Sequence, residues 1–197
     1  PEDVAELMRY LGPRTPDQRV IAMPGTGTQV PIWLLGSSLF SAQLAGERGL
    51  PYAFASHFAP RFMHEAIRVY RNHFKPSAVL DKPYVMLGIP MVVADTDEQA
   101  EYLATSVYQR ILALIRGQSL MQRPPVPSMD GLWLPHERDA VMSFLGLAMI
   151  GSPQKVRANV EVLLEQTGAD ELIFTCDLYE HADRVRSYEL MAEALKA

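Results

Sequence analysis

The segment Gly36-Ser37-Ser38-Leu39-Phe40-Ser41 places three hydroxyls and a glycine where a compact apolar run, Val30 to Leu35, gives way to helix-type periodicity. Ser38 and Ser41 are three positions apart, so they share one face of a helix that begins near Ser38. The first backbone N–H groups of such a helix have no partner inside it, and the helix dipole favours an anion in front of them. Gly36 lets a ligand approach the backbone with no Cβ in the way. Neutral hydroxyl and amide donors converging at the end of a strand are what a phosphate monoester requires. The same residues would equally serve a helix that is merely capped, because serine is a favoured N-cap in any protein.

Other chemistry-bearing residues give weaker patterns. Pro24-Gly25-Thr26-Gly27-Thr28 has no third glycine and no following helix, so it reads as a turn and not as a dinucleotide fingerprint. His57 and His64 are seven apart with no carboxylate or thiolate cluster nearby in sequence. His57 therefore reads as a pocket-rim histidine that bonds a ligand or the backbone, and no metal site is expected. His136-Glu137 lacks the second histidine of a zinc-protease helix. Cys176 is the single cysteine, so no intrachain disulfide forms, and its apolar strand suits an inert core thiol. His181, Asp183 and Arg184 read as the solvated start of a helix.

The elements that must hold these residues alternate. Apolar runs at 30–35, 52–58, 84–94 and 171–176 read as strands. Gly88 and Pro90 within the third predict a bulge or interruption. Helix-type spacing covers 38–48, 60–74, 96–116, 136–145, 153–168 and 182–195. Gln118 to Pro135 holds Pro124, Pro125, Pro127, Pro135 and Gly131, and reads as a long loop of the functional or mobile kind. Strand–helix alternation implies a parallel α/β sheet with crossover helices. A closed (β/α)₈ barrel needs eight strands and about 250 residues, so about four strands make a partial one.

The 197 residues carry 18 Lys+Arg against 23 Asp+Glu, a formal charge of −5. No basic run provides a footprint for nucleic acid. No apolar stretch reaches the roughly 18–20 residues of a membrane helix. Cytoplasmic residence is the default expectation. Pro1-Glu2-Asp3-Val4 already has the style of a helix start, so the chain reads as an internal segment.

Six segments carry a resemblance. Gly36 through Ala45 and then Gly49-Leu50-Pro51-Tyr52-Ala53-Phe54-Ala55-Ser56-His57-Phe58 resemble the middle of luciferase-like flavin-dependent monooxygenases. Val92 through Ala100, Gly151 through Val156, Thr167 through Leu172 and Tyr179 through Leu190 follow in collinear order. The resemblance implies a single domain over 1–197, the C-terminal half of a (β/α)₈ TIM barrel. It also implies reduced FMN, or the deazaflavin F420 in some branches, acting with molecular oxygen on a small organic substrate. Carried over by position, Ser38 and Ser41 match hydroxyl residues that hold the flavin phosphate, and Ser37 sits where the family often has an acidic or small residue; with Gly36 these are the expected cofactor-binding residues. Ala55 and Ser56 would lie against the ring, with His57 and Phe58 continuing into the pocket rim. The N-terminal barrel half, which in the family supplies a basic phosphate contact and the usual catalytic histidine region, is expected to lie outside this segment. The reading therefore leaves the catalytic residues unassigned and predicts homo-oligomers formed through open barrel edges, with a flavin reductase as a further partner. The alternative reading is a non-catalytic, flavin-binding remnant. The 118–135 loop is expected to act as a lid that keeps water away from the reacting cofactor.

Overall fold

The computed structural model describes residues 2–196. The order is α1 (Glu2–Leu11), β1 (Leu34–Gly36), α2 (Leu39–Arg48), β2 (Tyr52–Ala55), a 3₁₀ turn at Pro60–Phe62, α3 (Met63–His73), β3 (Val85–Val93) and α4 (Asp97–Ile115). There follow α5 (Pro135–Phe144), β4 (Met149–Gly151), α6 (Pro153–Thr167), β5 (Glu171–Thr175) and α7 (His181–Leu195).

Local chemistry sets the helix limits. Thr96 Oγ1 accepts the Gln99 N–H at 3.2 Å and starts α4. Ser152 caps α6 with Pro153 at its first position, and Gly168 closes it with φ 55°. Gly49, at φ 59°, ends α2 in the left-handed region, where its N–H meets the last carbonyls.

All strand pairs are parallel. Tyr52–Ala55 pair with Leu34–Gly36 on one side and with Val85–Gly88 on the other. The middle strand β3 also pairs along Met86–Pro90 with all of β5, and along Met91–Val93 with β4. The strand order β1-β2-β3-β5, with β4 added at the end of β3, is one curved parallel sheet joined by crossover helices. Residues that alternate along it have two fates. Tyr52, Phe54, Val85, Leu87 and Ile89 are fully buried under the helices. On the opposite face Leu35 is 68% exposed and Ile173 52% exposed. Among the described residues β1 pairs with β2 alone and β5 with β3 alone, so the sheet has two open edges.

Three strand expectations change. The first strand runs from Leu34 to Gly36 and not from Val30, because Pro31 offers no amide and Val30 is 54% exposed; the first bond to the neighbouring chain is Leu34 N–H to Pro51 O. The second ends at Ala55, where the Ser56 and Phe58 amides turn back to Phe54 O and Ala55 O. The third is continuous through Gly88 and Pro90. Its pairing with β2 has already stopped at Gly88, so a proline at 90 breaks no bond on that side. β4 was not expected, since three residues leave too short a pattern.

Candidate functional site

The end of β1 and the start of α2 form the first half of the site. Ser38 is the N-cap, with extended φ and ψ, and its Oγ accepts the Ser41 N–H at 3.3 Å. Ser41 Oγ donates to Ser38 O at 2.9 Å. The Tyr52 hydroxyl lies 3.4 Å from Ser41 Oγ and donates to Ser38 O at 3.4 Å. Burial pushes the Tyr52 phenol above its ordinary pKa, with the Ser41 hydroxyl pulling weakly back, so it stays a protonated donor. Ser38, Leu39 and Phe40 are exposed, Ser37 and Ser41 half-buried. The cap takes the Ser41 amide, which leaves those of Leu39 and Phe40 without a partner inside the helix beside the exposed Ser38.

This geometry corrects two assignments. Gly36 does not leave space for a ligand: a Cβ there would lie 2.2 Å from Ser41 Oγ, so the room is already filled by that serine. Ser41 commits its proton to the carbonyl behind it, which makes it first a brace for the turn. Ser56 departs from expectation too. It is 1% exposed, and its hydroxyl points to Met63 Sδ at 3.8 Å, into the core and away from the open face.

The second half lies just past β2. The His57 ring stands over Gly88 of β3, where a Cβ would come within 3.3 Å of Nδ1, and it packs against Phe58 with ring centroids 4.2 Å apart. Nδ1 is buried without a hydrogen-bond partner. Ala55 is 3% exposed and supplies only a flat strand end. Beside His57 lies a cavity of about 200 Å³. Its floor is Pro90 of β3 and Thr175 of β5, and its wall is Val107, Arg110, Ile111 and Leu114 of α4, with Phe58, Leu120, Phe144, Leu145 and Asp177 around them. It opens at the C-terminal ends of the parallel strands, the end where (β/α)₈ proteins build their sites.

Arg110 Nη2 meets Asp177 Oδ2 at 2.6 Å across this cavity wall. The neighbouring loop is tied down. Thr105 Oγ1 accepts the Val126 N–H at 2.8 Å, Ser106 Oγ donates to Arg123 O at 2.7 Å, and Gln109 Nε2 to Pro124 O at 3.0 Å. Gln122 Nε2 reaches both Ser106 Oγ and Asp177 O, at 2.9 and 2.5 Å. Residues 122–126 are thus a strap fastened along α4, whereas Leu120 and Met121 just before it are 48% and 77% exposed.

A family model described as luciferase-like monooxygenase matches residues 6–171. The chain belongs to that family. It is 44% identical over 190 residues to a luciferase-like monooxygenase of Escherichia coli K12, covering 96% of this chain and 57% of the relative. Among solved structures, apo-MsnO8 superposes with a TM-score of 0.77 at 28% identity, over 99% of this chain and 59% of that one. The oxygenating constituent of a Pseudomonas putida 3,6-diketocamphane monooxygenase, a Baeyer–Villiger enzyme solved with FMN, shares the fold at 19% identity and TM-score 0.56, over 87% of this chain and 49% of that one. These relatives are TIM-barrel monooxygenases, so the open sheet is a partial barrel of that type. The chain spans a little under three fifths of the length of the curated relatives it matches.

Sequence reading missed Tyr52, Gly88, Arg110 and Asp177. One of these left a signal: Arg110 interrupts an apolar stripe at 107, 111 and 114, the i, i+4, i+7 spacing of a buried face.

Proposed function

We propose that this luciferase-like monooxygenase uses reduced FMN with molecular oxygen to oxidise a small organic substrate, and that residues 36–57 hold the flavin. The observation that carries this reading is the exposed first turn of α2 at the mouth of β1, one strand away from His57 and the cavity. The residues fit a phosphate: the Ser38 hydroxyl and the amides of Leu39 and Phe40 are donors with no helical partner. Ser37 stands beside them, and Gly36, Ser41 and Tyr52 fix the turn. His57 offers its edge to a ring, with the buried Ala55 forming the flat strand end behind it. Bound flavin supplies the electrons that activate oxygen. The chain's part is to grip the anionic tail, to set the ring against β2, and to keep an apolar, water-poor space for substrate next to it. A separate flavin reductase would deliver the electrons.

Titrating the purified protein with FMN, riboflavin and F420 tests this. Binding of FMN at least about tenfold tighter than riboflavin, which lacks the phosphate, is expected from a site built on phosphate donors. Equal affinity for the two, or no flavin binding, removes the reading; tighter F420 binding moves it to the deazaflavin branch.

The exposed Leu35 and Ile173 and the two open sheet edges favour a second reading, in which the chain works as an associating flavin-binding piece. A sizing column showing a monodisperse monomer removes it.

A further inference from the structure

We infer that Arg110 is a specificity-determining residue of the cavity beside His57, selecting small apolar compounds that carry one uncharged oxygen acceptor. This deepens the monooxygenase reading and rests on it for calling the ligand a substrate. The cavity wall is mostly apolar, with Val107, Ile111 and Leu114 of α4 and Phe58, Phe144 and Leu145 in its lining. Its volume of about 200 Å³ admits a compound on the order of ten non-hydrogen atoms. Arg110 breaks that wall. Its Nε is buried and has no hydrogen-bond partner. A guanidinium N–H is a donor under all conditions, so the group it lacks is an acceptor. A buried donor left unmet is costly, and a ligand that meets it gains over one that does not.

The charge of the acceptor follows from Asp177. Its carboxylate holds Arg110 Nη2 at 2.6 Å, so the pair is already neutral. Asp177 is half exposed, so solvent screens it, and a ligand carboxylate would bring a second negative charge against it at a modest cost that grows as the ligand displaces water. A carbonyl, ester or ether oxygen brings none. Gln122 Nε2, by donating to Asp177 O, fastens the strap to the residue that sets this neutrality.

The test is calorimetric titration of the purified protein, with no flavin present, by acetophenone, ethylbenzene and benzoate. These share a ring and differ in the acceptor and its charge. Acetophenone is expected to bind about tenfold tighter than ethylbenzene, with benzoate weakest. In R110M the acetophenone preference disappears while ethylbenzene binding persists. In D177N the freed guanidinium raises benzoate affinity about tenfold or more. Equal binding of acetophenone and ethylbenzene by the unaltered protein, a preference that survives R110M, benzoate as the tightest ligand before substitution, or no binding at all overturns the assignment. Because flavin is absent from these titrations, their failure is distinct from failure to bind FMN: ketone binding without FMN binding keeps the pocket and removes the flavin reading, and the reverse result does the opposite.

Discussion

Gly36 and Ser41 fill one another's space: a Cβ on residue 36 would lie 2.2 Å from the Ser41 Oγ and 2.6 Å from its Cβ. A contact that short forces the backbone or the serine to move. In Gly36→Ala, Ser41 loses its bond to Ser38 O, and the first turn of α2 opens. Stability should fall by about 1–3 kcal/mol, as for other overpacked sites, and FMN affinity by about tenfold or more. Urea denaturation and flavin titration read the two effects. An alanine variant with unaltered stability and flavin binding would show that the turn tolerates rearrangement and that its geometry carries no function.

The parts of this site written in local pattern were legible before the fold was known. Ser38 and Gly49 bound α2 where cap chemistry places them, and the strand–helix alternation gives the parallel sheet. What stayed hidden depends on contacts between distant residues. Whether Ser56 faces the site or the core is decided by a turn that begins at that residue, and the alternation rule that works inside a strand stops applying there. Tyr52 braces Ser38 from a neighbouring strand, and Asp177 meets Arg110 from 67 positions away. Neither leaves a mark on its own segment. The proline-rich loop was legible as a loop, but its fastening came from hydroxyls and amides on α4, which read only as tolerated polar positions in a helix.

That fastening is open to a direct measurement. Thr105 Oγ1 accepts the Val126 N–H at 2.8 Å and is 3.2 Å from Val126 O, inside a partly buried seam. Thr105→Val keeps the shape and removes both bonds together with the 2.6 Å bond from the hydroxyl to Tyr102 O within α4, leaving the Val126 amide unmet at a cost of about 1–3 kcal/mol. Hydrogen exchange should quicken at Val126 and the neighbouring strap residues while α4 keeps its protection. Equal protection in the two proteins would mean that apolar packing of Val126, and not the hydroxyl, holds the strap. On the proposed flavin reading, residues 118–121 and not 122–126 are then the stretch whose loss should raise unproductive peroxide release.

The ion pair between α4 and α5 has a consequence in acid. Glu137 accepts two bonds from Arg116, each at 2.7 Å, and a third from the Leu134 N–H at 2.7 Å. These hold its carboxyl at about 2, well below its usual 4.5, with the Arg116 guanidinium the larger cause and the Leu134 amide next. A carboxyl whose folded pKa is depressed stabilises the fold fully above the unfolded value, and that contribution is lost as pH falls through the folded one. The loss should therefore spread from pH 4.5 down to about 2. Glu137→Gln keeps the side-chain length but has no proton to take up, so this share of the acid sensitivity should vanish. The variant should be less stable than the parent at neutral pH, and the two denaturation midpoints should converge as the solution is acidified across that interval. Because Arg116 is partly exposed, solvent screens the pair and the gap at neutral pH should be modest. Parallel curves at all pH values would show that Glu137 does not titrate in that interval and that its bonds to Arg116 and Leu134 do not set the acid response.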